Sequence, residues 1–436
     1  MIRTHGVEKG PTMTSRERVA AALNHQEADR VPIDVGSTGT TGIMVTAYAE
    51  LREMLGLKSG PPKVIEVLQM LGEVELPVLE KLGCDIVPLG LPVGFFGIPY
   101  RDWKPWRTFE GVDVLVPGQF NPILNDSGDL LLSPGGNPTK RPRGRMPHNG
   151  YYFDIIPYQE PIDWDHLDPD DFAEHFAVLD DEILEHLRTT SEHLHEHTDF
   201  AIMGGFGGGA LGDMPVVMAS QLKSPKGIRK YDEFLMAHLT HPEYIEEIYA
   251  RQTEAAVENL KLYREAVGDR VAAIFISGTD FGTQRGEFIS PDLYRRLYLP
   301  FHKRINDWVH ANTSWKTFFH TCGSIYHLIP SLIEAGVDIL NPVQCSAANM
   351  DPQRLKDEFG DRIVFWGGGV DTQRTLPFGT PDEVRAQVAD RIRVFAPGGG
   401  YVFNSIHNIQ AKTPVENILA MFEAARQYGR YPIQSP

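Results

Sequence analysis

The C-terminal half of the chain repeats one pattern, a short apolar segment followed by an amphipathic one, and this repeat constrains the fold more than any other feature. Five such units follow one another between residues 271 and 428. Their first segments contain VAAIFI, WKTFF, VDIL, RIVFW and GYVFNS, which are rich in Val, Ile and Phe on both faces. Segments of this kind predict parallel strands that helices cover on both sides.

The amphipathic segments between these strands predict helices. Several begin with Ser-Pro, Asp-Pro or Thr-Pro and end at glycine, as helices commonly do. We expect one continuous helix in SPDLYRRLYLPFHKRINDWVHAN and another in SIYHLIPSLIEAG. A parallel sheet this regular is either doubly wound or closed as an eight-stranded barrel. No Gly-x-Gly-x-x-Gly follows an early strand, and GGFGGGALG (204–212) opens no clear helix, so we predict an α/β fold of the (β/α)8 TIM-barrel class.

Residues 91–160 differ from the rest of the chain because they are rich in Pro, Gly and aromatic residues. Short alternating runs between glycine turns predict hairpins. We interpret this stretch as a hairpin-rich insertion within a single barrel domain that spans residues 1–436. Its basic piece TKRPRGR (139–145) is expected to be a solvated loop more than a binding patch, because the background is acidic.

Composition excludes several classes of protein. The formal net charge of −17 argues against a nucleic-acid partner. No stretch approaches the roughly 18 apolar residues of a membrane helix, so no membrane association is expected. The segment MIRTHGVEKGPTMTSRERV has no apolar signal-peptide core, which favours a cytoplasmic location. The three cysteines rule out a disulfide framework and indicate a reducing compartment.

The polar residues that follow the predicted strands are the candidate site residues, because barrel active sites lie at the C-terminal ends of the strands. They are Asp34, then Asp280 and Gln284, then His320 and Cys322, then Asn341, Gln344 and Cys345, and finally His407 and Asn408. Imidazole and thiolate suit Zn²⁺, and three protein ligands with one open position are typical of catalytic zinc.

The spacing alone is a weak signal, because a His-x-Cys pair at a strand end is more often packed polar filler than a metal site. Taken alone, His407 reads as a hydrogen-bonded loop histidine, and Cys345 could replace it as third ligand. Cys322 directly precedes a predicted helix, whose N-terminus would stabilise its thiolate.

Several motifs together resemble the uroporphyrinogen decarboxylase superfamily. They are SRERVAAALNHQEADRVPID, SPDLYRRLYLP, HTCGSIYHLIPSLIEAGVDILN, FGDRIVFWGGGVD and TPVENILAMFEAAR. The resemblance covers most of the chain outside 91–160 and implies a (β/α)8 barrel. Its members are cofactor-free porphyrinogen decarboxylases and zinc-dependent methyltransferases that exchange methyl groups with a corrinoid protein.

The methyltransferase branch is the better match. Its zinc-binding members, such as the methylcobamide:coenzyme M methyltransferases, carry His-x-Cys-Gly after a strand, matched here by His320, Cys322 and Gly323. Their third ligand is a cysteine shortly before Thr-Pro-x-Glu-Asn, present here at 413–417, and the corresponding position is His407. The resemblance therefore implies Zn²⁺ bound by His320, Cys322 and His407, and a corrinoid (cobalamin) carried by a partner protein. Histidine in place of cysteine makes the site a stronger Lewis acid, which favours a substrate such as an ether over coenzyme M.

The function that follows is zinc-dependent transfer of a methyl group between a small methylated substrate and a corrinoid protein. A methoxylated aromatic, and hence O-demethylation, is one candidate. The insertion's aromatic residues either wall such a pocket or simply pack the insertion; these are Tyr100, Trp103, Trp106 and Phe109. The candidate substrate-binding residues are Asp34, Asp280, Gln284 and Asn408.

Two alternatives stay open. One is a cofactor-free decarboxylase of the uroporphyrinogen decarboxylase type, although DVGSTGTTGIM lacks the arginines with which such enzymes hold carboxylates. The other is a non-catalytic barrel that binds a corrinoid protein or a small molecule.

Overall fold

The computed structural model describes residues 13–57 and 60–433. The other residues of the predicted single domain, 1–12, 58–59 and 434–436, lie outside the described residues, and with them most of the segment that favoured a cytoplasmic location. The α-helices are α1 (Ser15–Leu23), α2 (Val45–Met54), α3 (Leu76–Leu82), α4 (Asp181–His197), α5 (Met214–Met218), α6 (Tyr231–Thr240), α7 (Pro242–Val267), α8 (Pro291–Leu297), α9 (Leu299–Asn312), α10 (Ile329–Glu334), α11 (Pro352–Phe359), α12 (Thr375–Phe378), α13 (Pro381–Phe395) and α14 (Val415–Tyr428).

The strands are β1 (Val64–Glu66), β2 (Leu71–Gly72), β3 (Ile86–Leu89), β4 (Lys104–Arg107), β5 (Asp113–Val116), β6 (Ile123–Leu124), β7 (Leu130–Leu132), β8 (Gly144–Met146), β9 (Asp154–Ile155), β10 (Ala201–Gly205), β11 (Ala273–Ser277), β12 (Lys316–His320), β13 (Ile339–Asn341), β14 (Val364–Trp366) and β15 (Tyr401–Val402). Within the described ranges, none of the helices combines the length and the apolar character that crossing a bilayer requires.

Seven parallel strands form the central sheet, in the order β15-β14-β13-β12-β11-β10-β3. The extended segment 31–34 fills the eighth position, between the two edges of this sheet. On one side Ile33 pairs in parallel with Phe403, and the Asp34 N–H donates to the Phe403 carbonyl at 2.9 Å. On the other side the Asp85 N–H donates to the Ile33 carbonyl at 2.8 Å. The sheet is therefore closed, and the predicted (β/α)8 TIM barrel is confirmed.

The barrel strands bury both faces, as their composition predicts. Alternate residues such as Phe318 and Ile339 form one apolar cluster inside the barrel. Val19 and Leu23 of α1 belong to the same cluster, so α1 closes the barrel end opposite the C-terminal ends of the strands. The residues between them, such as Phe319, belong to the larger core that the strands share with the outer helices.

Asp85, directly before β3, fastens α1 and segment 31–34 to the barrel. Its fully buried carboxylate accepts hydrogen bonds from Arg18 at 2.7 Å, from Arg30 at 2.6 and 2.9 Å, and from the Ser15 hydroxyl at 2.8 Å. It also accepts the Ile33 N–H at 2.8 Å. The strand that closes the barrel is thus held by a buried charge cluster as well as by its ladder.

Two predicted helices are shorter than expected. The continuous helix across SPDLYRRLYLPFHKRINDWVHAN is wrong, because α8 ends at Leu297 and α9 begins at Leu299. Pro300 has no N–H to donate and cannot lie inside one continuous helix. The other helix, α10, starts only at Ile329.

Residues 91–160 contain the predicted hairpins. Strands β4 and β5 pair antiparallel, and β6, β7, β8 and β9 form a second antiparallel sheet. These sheets share a separate apolar core that includes Phe96, Phe120 and Phe153. The basic piece is solvated only in part: Arg141 and Arg145 are exposed, whereas Arg143 is fully buried.

Candidate metal centre

The three residues predicted to bind zinc lie together at the C-terminal end of the barrel. His320 ends β12, Cys322 follows two residues later, and His407 lies in the loop after β15. One ligand atom from each residue lies within 4.8 Å of the other two. The Cys322 Sγ is 3.3 Å from His320 Nε2, and the two imidazole rings meet edge-on with centroids 5.3 Å apart. Across residues 13–57 and 60–433, no other three His, Cys, Asp or Glu side chains form such a group.

Asn341, the last residue of β13, fixes the orientation of the His320 ring. Its Oδ1 accepts from His320 Nδ1 at 2.6 Å, while its Nδ2 donates to the Trp366 carbonyl at 2.8 Å. Because Nδ1 carries the proton, the lone pair of His320 Nε2 points to the other two residues of the group. This is how a hydrogen bond on one ring nitrogen prepares the other nitrogen for a metal.

The loop that carries Cys322 is held by the loops on both sides. The Cys322 N–H donates to Asp280 Oδ1 at 2.6 Å, and the Gly323 N–H donates to Gln344 Oε1 at 2.8 Å. Gly323 has a φ of +88°, and a Cβ at this position would lie 2.4 Å from the carbonyl carbon of Gly282. Only glycine fits this turn, so the sequence His-x-Cys-Gly has a steric reason as well as a chemical one.

Burial keeps all three side chains neutral. It lowers the pKa of His320, and it lowers the pKa of His407 to about 3 with a further contribution from His320. Burial, followed by the Asp280 carboxylate, raises the pKa of the Cys322 thiol well above its usual range. The predicted thiolate-stabilising helix is wrong, because α10 begins seven residues after Cys322. Two neutral imidazoles and a thiol that releases its proton on binding are a donor set that fits zinc.

A family model described as uroporphyrinogen decarboxylase (URO-D) matches residues 154–428 of the chain. The chain belongs to the URO-D family. The uroporphyrinogen decarboxylase of Trichodesmium erythraeum is 24% identical over 347 residues, which cover 75% of this chain and 87% of that protein. The match to the uroporphyrinogen decarboxylase of Coxiella burnetii, 24% identical over 148 residues, covers 33% of this chain and only 38% of the relative. A solved structure of a methyltransferase from Methanosarcina mazei shares the fold, with a TM-score of 0.53 and 18% identity over 95% of this chain and 99% of that one.

In this URO-D protein, His407 is supported by its neighbour Asn408. The Asn408 N–H donates to His407 Nδ1 at 2.8 Å, so Nε2 carries the ring proton. A metal on Nδ1 would replace this hydrogen bond, and a metal on Nε2 would require the ring proton to move to Nδ1. The Asn408 side chain accepts the Gly42 N–H at 2.5 Å and donates to Gly39 and Gln69 at 2.9 Å each. Its amide is therefore occupied in bracing loop 36–42 behind His407.

The other three predicted substrate-binding residues differ in how far they are buried. Asp280 lies 3.7 Å from His320 Nε2, and 47% of its side chain is exposed. Gln284 is exposed on the same loop. Asp34 is fully buried, where its carboxylate accepts from Trp366 Nε1 at 2.9 Å and from the Ser37 hydroxyl at 2.8 Å. Burial raises the pKa of Asp34 to about 6. Of the three, Asp280 is the one beside the metal-ligating group.

Cys345 lies outside the three-residue group. Its thiol donates to the Val343 carbonyl at 3.3 Å, and burial raises its pKa to about 12. The structure thus brings His407, and not Cys345, to His320 and Cys322.

The aromatic residues of the insertion pack mainly within or beside it. Trp106 meets Phe120 edge-on with ring centroids 5.4 Å apart, and Phe109 meets His148 at 5.5 Å. The Lys63 ammonium lies 5.4 Å from the ring of Trp103, and Tyr100 packs against the apolar core of the insertion. These contacts agree with the alternative that the aromatic residues pack the insertion.

Two residues near the centre were missed by sequence reasoning. Asp213 precedes α5, and Tyr231 begins α6. Burial, then Tyr298 and the Asp213 and Asp280 carboxylates, raise the pKa of Tyr231. The loops that carry Asp213 and Asp280 are joined by a hydrogen bond of 3.2 Å from the Thr279 hydroxyl to the Leu211 carbonyl. The position of Asp213 could have indicated it from the sequence, because Asp213 directly follows the glycine-rich loop after β10, and residues after barrel strands are candidate site residues.

Proposed function

We propose that this protein is a zinc-dependent methyltransferase that moves a methyl group between a small methylated substrate and a corrinoid protein. One observation carries the proposal: three neutral metal-ligating side chains, His320 buried and Cys322 and His407 half-buried, meet where the active site of a barrel enzyme is expected. The Methanosarcina mazei protein, which shares the fold, is described as a methyltransferase, and this supports the proposal.

His320, Cys322 and His407 would hold the zinc ion, with Asn341 fixing the His320 ring. Bound there, zinc would act as a Lewis acid on a heteroatom of the substrate. The chain's own part is to hold the three donors in one place, to keep them out of bulk water, and to position the substrate beside Asp280. Two neutral imidazoles leave the centre less negative than two thiolates would, which favours a methyl ether such as a methoxylated aromatic.

A cofactor-free decarboxylase is the second candidate, because the sequence relatives are named uroporphyrinogen decarboxylases. It fits the site less well. Loop 36–42 offers hydroxyl groups and no lysine or arginine for carboxylates, and decarboxylation without a cofactor gives the group of His320, Cys322 and His407 no role.

The test is the metal content of the purified protein by mass spectrometry. We expect about one zinc per chain in the wild type and loss of zinc in Cys322→Ser and His407→Ala. Cys345→Ser is the matched control and should keep its zinc. If zinc survives in His407→Ala but not in Cys345→Ser, the third ligand is Cys345.

A wild type that holds no zinc after growth with added zinc would return the chain to the decarboxylase alternative, which also predicts activity that survives chelation. Stoichiometric zinc makes corrinoid-dependent methyl transfer the next assay. Zinc without turnover of any methylated substrate would instead favour a binding protein.

A further inference from the structure

His407 depends on its loop for its position. His320 ends strand β12, whereas β15 ends at Val402 and His407 lies five residues further along the chain. In the described part of the chain, the one hydrogen bond to the His407 ring comes from the Asn408 N–H at 2.8 Å. The backbone at Asn408 therefore decides whether the ring stays beside His320 and Cys322.

The side chain of Asn408 fixes that backbone. It is fully buried, and its Oδ1 accepts the Gly42 N–H at 2.5 Å. Its Nδ2 donates to the Gly39 carbonyl and to Gln69 Oε1, each at 2.9 Å. Gln69 Nε2 in turn donates to the same Gly39 carbonyl at 3.3 Å. Gln69 is the partner that contributes a side chain, so a substitution at position 69 removes its bonds and leaves the backbone partners in place.

Gln69 itself lies on a well-supported turn. The turn joins β1 to β2, and the buried Glu66 carboxylate accepts the N–H groups of Leu68 and Gln69 at 2.7 Å each. The Leu68 carbonyl accepts the N–H of Phe153, a residue of the insertion, at 2.7 Å. The turn and the insertion therefore hold the Gln69 amide from outside the loop that carries His407.

We infer that Gln69 is a positioning residue for His407 and acts through the Asn408 amide. The inference rests on the proposed function only for the metal that His407 would bind. Whichever ring nitrogen binds zinc, the ring has to stay where one ligand atom from each of the three residues lies within 4.8 Å of the others. Without the Gln69 amide, Asn408 Nδ2 keeps one of its two partners, so the loop and the ring gain freedom. Groups that support a metal ligand from behind commonly contribute about 10- to 100-fold to metal affinity.

The test replaces Gln69 by methionine, which is similar in length and lacks the amide, in the full chain. Gln69→Met should bind zinc about tenfold more weakly in competition with a chromogenic chelator. Cobalt(II) bound in place of zinc has visible absorption bands that depend on the coordination geometry, and these bands should shift in the variant. Gln69 is half-buried on a turn, and circular dichroism shows that the variant is folded before its affinity is compared.

A second readout needs no metal. In the metal-free wild type, the nitrogen NMR signals of the His407 ring should show a proton on Nε2 and none on Nδ1, with His407→Ala as the assignment. In Gln69→Met the two signals should move towards each other, because the tautomers mix when the Asn408 N–H is less well placed. Gln69→Glu keeps an acceptor for Asn408 Nδ2 and should retain the wild-type signals.

Gln353→Met is the control, because Gln353 is an exposed glutamine on α11 whose amide donates to Asp357 at 2.8 Å. It should change neither the zinc affinity, the cobalt spectrum nor the ring signals. If the wild type binds zinc, an unchanged zinc affinity, cobalt spectrum or set of ring signals in Gln69→Met would overturn the inference. Ring signals in Gln69→Glu that match those of Gln69→Met, or equal changes in Gln353→Met, would also overturn it.

The ring signals separate this inference from the proposed function. A wild type that binds no zinc, with ring signals that change in Gln69→Met, would refute the function and leave the positioning role standing. If the ring signals also stay unchanged, both are refuted. Stoichiometric zinc with equal affinity in the wild type and in Gln69→Met would support the metal centre and refute the positioning role.

Discussion

Removing the Asn341 amide should weaken zinc binding about 10- to 100-fold, which corresponds to about 1.4–2.7 kcal/mol. Asn341 is fully buried, and its Oδ1 holds His320 Nδ1 at 2.6 Å. In Asn341→Leu the number and branching of the side-chain heavy atoms are kept, but nothing fixes which nitrogen of His320 carries the proton. The ring then spends part of its time in the tautomer or orientation that cannot bind metal.

The same change also acts on stability, and the assay has to separate the two effects. Asn341→Leu leaves the His320 Nδ1–H and the Trp366 carbonyl without their partner. Each buried group left unpaired costs about 1–3 kcal/mol of unfolding free energy. Zinc affinity should therefore be measured by competition with a chromogenic chelator, at a temperature where circular dichroism shows the variant to be folded.

Thr40→Val is the matched control. It removes a hydroxyl 3.3 Å from Asn341 Oδ1 but leaves the bond between the amide and His320, so affinity should change less than about threefold. A folded Asn341→Leu protein with wild-type zinc affinity would refute the reasoning, because packing and not the hydrogen bond would then orient His320.

Three further predictions concern the loop, the barrel closure and a buried acid. Gly323→Ala should lose most of the bound zinc, because its Cβ would lie 2.4 Å from the carbonyl carbon of Gly282 at a φ of +88°. Gly286→Ala is the control: no atom lies within 4 Å of the added Cβ, so this variant should keep its zinc. Equal zinc contents in the two variants would contradict the prediction. Asp85→Asn should lower the unfolding free energy by about 3 kcal/mol, because it leaves two arginines beside a neutral amide. For a chain of this length, this loss corresponds to a melting temperature about 3 °C lower. Asp29→Asn is the control, because the Asp29 side chain is 31% exposed, and its unfolding free energy should fall by less than half as much. Equal losses of unfolding free energy in calorimetry would show that burial of the carboxylate does not matter. For Asp34 the pKa is raised to about 6 by burial, so the native state keeps a proton that the unfolded state releases, and stability from this group falls as pH rises from about 4 to 7. Asp34→Asn removes this titration. In denaturant unfolding, the unfolding free energy of the variant should therefore rise by on the order of 2–3 kcal/mol relative to that of the wild type between about pH 4 and 7. A difference in unfolding free energy that does not depend on pH would refute the raised pKa.

The barrel strands between residues 271 and 428 were predictable because they are buried on both faces and therefore apolar throughout. The closure of the barrel was not, since it depends on hydrogen bonds from segment 31–34 to Phe403 and Asp85, far away in sequence. The break at Pro300 was visible in the sequence, but the apolar periodicity continues across it and favoured one helix.

In the candidate site, residues that follow short strands were easier to find than residues in long loops. His320 ends β12 and Cys322 follows two residues later, whereas His407 lies five residues beyond β15 and was linked to them only by the family resemblance. Asp213 was missed because a glycine-rich loop separates it from β10. Asp34 was expected near substrate, but Trp366 and Ser37 enclose it, which the sequence around Asp34 alone does not reveal.

His407 and Asp280 together determine the charge of the proposed centre. Two imidazoles and one thiolate would leave a divalent zinc with one positive charge, which the Asp280 carboxylate beside His320 cancels. With a cysteine at position 407, as the resemblance leads one to expect, the same surroundings would carry a net negative charge. Among the described residues Asp280 forms its ion pair with His320 and with no lysine or arginine, so a neutral substrate is the one that would leave the charges of the proposed centre balanced. Under the proposed function, histidine at 407, the Asp280 carboxylate and the absence of arginine from loop 36–42 would together suit an uncharged methyl ether better than a polycarboxylate.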